Sequence, residues 1–252
     1  MAQIRIGVDP DNAFGRELTE LEQSQLPFAA SQAANKVAFE IRERWKRQAP
    51  KVFDRPTPLT VNAAMYRKAT KTQPYAEIFI RDEAFKGTPP AKYLLAEVDG
   101  GQRRRKGFER LLQSRGLLSP TQFAVMGRGA PANQFGNVPA GQVTKILSQL
   151  GAQRDGYQNE TSVSRKRRRG KRNNRDGEYF VITRRRGVLR PGIYERIGRG
   201  SGVRSIFIFT TTAAYTPRYD IFGMAEDTWK RLMPFFLKRE LEKAMETARP
   251  LP

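Results

Sequence analysis

Cysteine and histidine, two side chains on which much enzyme chemistry depends, are absent from all 252 residues. The lack of cysteine excludes disulfides, thiolate nucleophiles and zinc–cysteine sites. The lack of histidine excludes Ser–His and Cys–His catalysis, histidine-ligated metals and the usual proton shuttle at neutral pH. We therefore predict that the protein is not an enzyme and that it uses no cofactor, metal or small-molecule substrate.

Long apolar segments are also missing. No hydrophobic run is long enough to cross a bilayer, and the N-terminal sequence MAQIRIGVDPDNAFG lacks the apolar core of a secretory signal. A hydrophobic fraction of 38% and a mean hydropathy of −0.64 describe a polar chain that is still long enough to bury a core. We expect a soluble protein without a membrane partner.

Positive charge, by contrast, is abundant. The chain has 46 Lys and Arg against 25 Asp and Glu, a net charge of +21. Such a balance predicts attraction to polyanions or to acidic protein surfaces. Arginine outnumbers lysine by 32 to 14, and the guanidinium fork suits bidentate contact with phosphate or carboxylate. A GC-rich genome also favours arginine codons, so this excess alone does not choose a partner.

The positive charge is densest in SVSRKRRRGKRNNR, residues 162–175, where seven of the eight residues 165–172 are Lys or Arg. A block of like charge is usually a solvated loop, but it can also become ordered on a polyanion or serve as a nuclear address. The run lacks the interleaved aromatic residues that stack on single-stranded bases. Contact with DNA would therefore involve phosphates and be independent of sequence, and an acidic protein partner remains equally open.

The candidate partner- or DNA-binding residues are the cations of this run and of the stretch that follows it: Arg165, Lys166, Arg167, Arg168, Arg169, Lys171, Arg172, Arg175, Arg184, Arg185 and Arg186.

The periodicity of the first half predicts a strand at 3–8 and a long helix at 26–48. We place Pro27 in the first turn of that helix and expect Pro50 to end it. Two strands follow, joined by a hairpin around 71–74. Residues 90–99 are interpreted as an apolar turn, and a second helix is predicted at 103–114.

In the second half, a helix opens after Pro139, and three strands are predicted in EYFVIT, GIYERIG and SIFIFTTT. The run 206–209 is apolar on both faces, which favours a central place in the sheet. A final helix at 219–248 contains Pro234, which is expected to kink it or to start a second helix.

These elements predict an α+β fold: a mixed, mostly antiparallel sheet flanked by a long N-terminal helix and a long C-terminal helix, with an extended basic loop insertion. We expect one domain over 1–252. Within it we distinguish an N-terminal strand and linker arm at 1–24, a Gly/Pro-rich extended loop at 117–141, and a basic arm at 153–177.

Two enzymatic alternatives have weak support. The glycine patterns GRGAPA and GRGSG lack the Lys-Ser/Thr ending of a phosphate-binding loop. A metal-dependent nuclease without histidine would need carboxylates such as Asp82, Glu83, Glu97 and Asp99. Acidic residues at strand ends and turns are more often surface caps, so a nuclease is only a third hypothesis.

Three phrases of the middle of the chain are similar to a known family: YLLAEVDGGQRRRKGFERLLQSRGLL, NQFGNVPAGQVTKILSQL and GVLRPGIYERIG. They resemble the minor tail protein Z-like, or tail-completion, proteins of tailed bacteriophages. The order of elements agrees as well: an early amphipathic helix ending in QAP, a tyrosine-containing strand leading to Glu97 and a double glycine, and a C-terminal helix after YTPRYDIFG. The resemblance covers roughly 25–248.

The resemblance implies a structural virion protein, a minor tail, tail-completion or neck subunit that forms a ring at or near the head–tail junction. Its expected partners are further copies of itself, other phage tail or neck proteins, and the genomic DNA in the channel. Its expected location is the virion, and the host cytoplasm before assembly. The alternative is a sequence-nonspecific nucleic-acid-binding protein that uses the basic arm. The candidate subunit-interface residues are Ile4, Ile6, Phe39, Arg103, Arg104 and Arg105.

Overall fold

Helices and antiparallel strands form two separate groups of elements in the computed structural model, which describes residues 3–7, 20–70, 73–85, 87–170, 174–198 and 202–247. The predicted α+β fold, with a long helix near each end of the chain, is confirmed. The chain divides into two compact units: unit 1, Met1–Gly100 with Thr216–Pro252, and unit 2, Gly101–Tyr215. The expectation of one domain over 1–252 stays a prediction.

Unit 1 is built from two long helices and a three-stranded sheet. Its elements are β1 (Gln3–Ile6), α1 (Glu20–Val52), α2 (Pro58–Val61), β2 (Ala64–Arg67), β3 (Ala76–Ile80), α3 (Ala91–Val98) and α7 (Ile221–Thr247). The strand order is β1-β3-β2, with both pairs antiparallel. Helix α1 packs along α7 and against β2 and β3. The predicted hairpin is therefore confirmed, although residues 71–72 at its turn lie outside the described part of the chain.

The core of unit 1 follows the apolar stripe of α1. Ala33, Val37, Ile41 and Trp45 recur at helical spacing, and each is at most 1% exposed. Small alanines on this stripe let α7 approach closely, and burial of the larger side chains supplies the hydrophobic stabilisation. The hydroxyl of Tyr219 donates to the Trp45 carbonyl oxygen at 2.9 Å, so the chain entering α7 is fixed to α1.

The prolines do not bound the helices as predicted. Pro27 and Pro50 both lie inside α1, and the Phe53 amide donates to the Ala49 carbonyl at 3.0 Å, which closes a turn beyond Pro50. Pro234 likewise lies inside α7, which is one continuous helix, so the alternative of a second helix starting there is wrong, and a kink at this residue stays a prediction. A proline lacks an amide donor and its ring crowds the preceding turn, but the packing between two long helices outweighs that local cost.

Residues 90–99 form a helix and not the apolar turn predicted. Helix α3 starts after Pro90, whose carbonyl accepts from the Leu94 amide at 2.8 Å. Leu94 is 2% exposed and belongs to the core of unit 1. The segment is only eight residues long, too short for its periodicity to distinguish a helix from an apolar loop.

Unit 2 contains a four-stranded antiparallel sheet and several short helices. Its elements are β4 (Gly101–Gln102), α4 (Gly107–Ser114), β5 (Phe123–Met126), α5 (Ala140–Gln149), a 3₁₀ turn (Gly156–Gln158), α6 (Ser162–Arg169), β6 (Tyr179–Ile182), β7 (Gly192–Arg196), β8 (Val203–Thr210) and β9 (Ala214–Tyr215). The sheet order is β5-β8-β7-β6, and β4 pairs with β9. The three predicted strands and the interior position of 206–209 are confirmed. The helix predicted at 103–114 begins later, at Gly107.

Two predicted loops of unit 2 contain regular structure. The extended loop 117–141 includes β5, which pairs with β8 in the register Val125↔Ile208. The basic arm 153–177 includes the 3₁₀ turn and α6. Strand β5 depends on β8, a partner distant in sequence, and α6 depends on a cap and on glutamates that lie beside the basic run.

Candidate interaction surface

The excess positive charge is concentrated in unit 2. Residues Gly101–Tyr215 contain 24 Lys and Arg against six Asp and Glu, a net charge of +18. The rest of the chain has 22 against 19, a net charge of +3. The charge that would attract a polyanion therefore lies mainly in unit 2, and unit 1 is close to neutral.

The densest part of the basic arm is the helix α6. Thr161 caps its start by accepting from the Ser164 amide at 3.1 Å. Gly170 ends it with φ +63, and its amide donates to the Lys166 carbonyl at 2.9 Å. The cations lie in the last turn, where the helix dipole favours positive charge. Capping and the dipole thus offset part of the repulsion that made a flexible loop the expectation.

Two glutamates fix the inner side of this helix. Arg168 binds Glu160 with two hydrogen bonds, of 2.7 and 3.2 Å, and Arg165 adds a third at 3.2 Å. Arg169 donates to Glu178 at 2.6 Å, and Arg175 lies 3.4 Å from the same carboxylate. The hydrogen bonds from Arg168 and then Arg165 hold the pKa of Glu160 below its ordinary value, although burial opposes them. These carboxylates therefore position α6 and neutralise part of its charge.

Lys166 and Arg167 form the outward side of α6, which we call the helix site. Both are exposed, and neither has a carboxylate partner among the described residues. Of the other candidates in this run, Lys171 and Arg172 lie outside the described residues.

A second group of cations occupies the turn between β6 and β7. Arg186 and Leu189 exchange two backbone hydrogen bonds of 3.0 Å across Gly187 and Val188. Gly187 has φ +59, which suits the first central position of a tight hairpin turn. Arg184, Arg185 and Arg186 are all exposed here, and we call them the hairpin site. Val188 at the tip is 90% exposed.

The helix site and the hairpin site lie at opposite ends of one β-hairpin. Glu178, which binds α6, immediately precedes β6, and the hairpin site follows the end of the same strand. Four residues of extended strand span about 13 Å. The cations of 165–186 therefore lie in two places in the fold, one before and one after β6.

The three arginines proposed for a subunit interface differ in availability. Arg103 is 10% exposed, and its guanidinium donates to both carboxylate oxygens of Glu109, at 2.9 and 2.5 Å. Arg105 donates to the carbonyls of Gln122 and Pro120. Because a buried carboxylate already neutralises its charge, Arg103 stabilises the interior of unit 2. Of these three arginines, only Arg104 is exposed.

The apolar interface candidates all lie in unit 1. Ile6 is 5% exposed and Ile4 is half-buried, so both side chains turn towards the core. What β1 leaves available is its outer backbone edge, since β3 occupies the other side and no described strand pairs with this one. Phe39 is 42% exposed, with the Arg42 guanidinium 4.8 Å from its ring centroid.

A groove of about 300 Å³ adjoins the edge strand. Ile4 and Ile6 form one wall, and Phe222 and Trp229 of α7 form the other. Phe222 is 44% exposed. No sequence signal marked this groove, because Phe222 and Trp229 occupy ordinary positions of an amphipathic helix and meet β1 only in the fold.

The carboxylates considered for a nuclease do not converge. Among the described residues, no three His, Cys, Asp or Glu side chains lie close enough to hold a metal ion. Glu97 instead accepts two hydrogen bonds from Arg218, of 2.5 and 3.0 Å. No described helix combines the length and the apolarity that crossing a membrane requires.

Comparison of the chain with protein-family models, with curated proteins and with solved structures gives no match.

Proposed function

We propose that the protein is a structural subunit of a tailed bacteriophage virion, a minor tail, tail-completion or neck component that forms a ring at or near the head–tail junction. The proposal combines the family resemblance with the surface of unit 1. The observation that carries it is the edge of β1, which no described strand pairs, beside the groove of Phe222 and Trp229. An edge strand next to an apolar groove suits strand addition from a neighbouring subunit, in which backbone hydrogen bonds give affinity and an inserted side chain gives specificity.

The aromatic surface agrees with a role in subunit contacts. All five exposed phenylalanines that the structure describes belong to unit 1: Phe28, Phe39, Phe85, Phe222 and Phe235. Protein interfaces are enriched in aromatic side chains and depleted of charge at their centres. Unit 1, with its small net charge, therefore suits packing against other chains.

The first test asks whether the chain is part of the particle. Mass spectrometry of gradient-purified virions should detect it in a fixed ratio to other tail proteins. Its absence from purified particles would remove the proposal and leave the alternative, a stand-alone nucleic-acid-binding protein that uses the charge of unit 2.

The second test blocks the groove. Phe222→Lys places a charge at the groove wall, and we expect it to abolish ring formation in mass photometry and to lower the yield of tailed particles. Phe235→Lys is the matched control, since Phe235 lies on the same helix, is 58% exposed and does not line the groove. Equal assembly by both variants would contradict the use of this groove.

A further inference from the structure

Among the described residues, no carboxylate pairs with the cations of the helix site or of the hairpin site. The hairpin site is followed by no acidic residue before Glu195, and that carboxylate already accepts from Arg204 at 2.8 Å. In the helix site, Lys166 and Arg167 point away from the two glutamates that bind their neighbours. Arg185 donates through its Nε to the Gly187 carbonyl at 3.2 Å. The terminal guanidinium nitrogens of exposed arginines without carboxylate partners suit contact with phosphate or carboxylate oxygens.

The spacing of the two sites favours an extended polyanion. A small anion reaches one site, whereas a ligand with charge repeated along its length reaches both ends of the β6–β7 hairpin. Duplex DNA carries one phosphate charge per ~1.7 Å of axis, so about eight phosphates lie along the ~13 Å of β6.

The composition of the sites favours a duplex over a single strand or a protein. Neither α6 nor the turn between β6 and β7 contains an aromatic residue, and single-strand binding depends on aromatic stacking platforms. Protein partners are usually anchored by aromatic side chains as well. Phosphates, in contrast, need only positioned cations and donors.

We propose that unit 2 binds the phosphate backbone of double-stranded DNA, without sequence preference, through the helix site and the hairpin site together. The inference rests on the proposed function, because a ring at the head–tail junction would surround the path of the packaged duplex. Glu160 and Glu178 act as positioning residues: they neutralise the inner arginines and leave Lys166 and Arg167 facing the ligand.

The experiment measures fluorescence anisotropy of a labelled duplex of random sequence with the purified full-length chain, over a range of salt concentrations. Each phosphate contact contributes about 0.9 to the slope of log K against log salt. Lys166→Gln with Arg167→Gln should reduce the slope by about 1.8, and Arg184→Gln with Arg185→Gln and Arg186→Gln by about 2.7. Each variant should weaken binding by the same factor for duplexes of unrelated sequence.

The matched control is Lys238→Gln with Arg239→Gln. It removes the same adjacent Lys–Arg pair from an exposed helix position, but in unit 1. We expect this control to keep the wild-type affinity and slope. A slope that falls as much in the control as in the helix-site variant would overturn the proposal, because net charge alone would then explain binding.

Two further outcomes would also overturn it. One is no binding of the duplex by the wild-type chain at about 50 mM salt, where phosphate contacts are strong. The other is displacement of the duplex by poly-glutamate at equal charge concentration, which would indicate an acidic protein partner. Detection of the chain in virions despite either outcome would leave the proposed function intact and remove only the DNA contact.

Discussion

The buried ion pair of unit 2 allows a sharp stability test. Glu109 is fully buried, and its two oxygens accept from Arg103 and from the amides of Lys106 and Ala124, the amide bonds measuring 2.7 and 2.8 Å. Burial alone would raise the pKa of this carboxyl, but the hydrogen bonds from Arg103 and the two amides hold the pKa below its ordinary value. The carboxylate thus connects the start of α4 to β5.

Glu109→Gln changes almost no volume but removes the charge. It leaves Arg103 buried without a counter-ion, and the new NH₂ group cannot accept from the donors that surround it. Breaking a buried pair in this way costs about 3–5 kcal/mol. At about 2–4 °C per kcal/mol for a chain of this size, the melting temperature should fall by about 6–20 °C.

The pH dependence has a definite sign. A carboxyl whose pKa is lowered on folding contributes stability above its unfolded pKa, about 4.3, and this contribution is lost as the pH falls through the lower, folded value. The difference in melting temperature between wild type and Glu109→Gln should therefore be full at pH 6 to 7 and shrink at acid pH. Thermal unfolding, monitored by circular dichroism at neutral and at acid pH, measures this difference.

The paired substitution is the control for this reasoning. Arg103→Met with Glu109→Leu removes both charges and keeps apolar volume, so it should destabilise less than Glu109→Gln alone. A loss below about 1 kcal/mol for Glu109→Gln, or a difference that grows at acid pH, would refute the assignment of a buried, ionised carboxylate.

Two further contrasts use matched pairs within unit 2. Gly192→Ala should lower the free energy of unfolding by about 1–3 kcal/mol, because the new Cβ would lie 2.4 Å from the Phe207 carbonyl oxygen. Gly141→Ala has open space at its Cβ and a helical backbone, so it should be neutral or stabilise by up to about 1 kcal/mol. A denaturant titration measures both variants. Arg168→Ala should lower the free energy of unfolding by about 1–3 kcal/mol, because it removes two hydrogen bonds to the Glu160 carboxylate. Lys166→Ala should change it by no more than about 0.5 kcal/mol. Equal melting temperatures for these two variants would contradict the division of α6 into an inner and an outward side.

Local patterns were sufficient for the regular elements with strong periodicity. The stripe that includes Val37 and Ile41 predicted the core face of α1, and the alternation at the N-terminus predicted β1. These patterns succeed because side-chain direction repeats with the helix or strand period over a few residues. Two elements were missed. The residues of β5, FAVM, are all apolar and show no alternation, and α3 is a mostly apolar segment of only eight residues.

The absence of cysteine and histidine, the net charge of +21 and the apolar stripes were fixed by the sequence alone. The tertiary structure decided which cations remain available. Arg168 and Arg103 are paired with carboxylates, whereas Lys166 and Arg167 have no carboxylate partner among the described residues, although in the sequence all four lie in basic runs. Electrostatic and packing energies depend on distance through space and on burial, and these quantities exist only once the chain has folded.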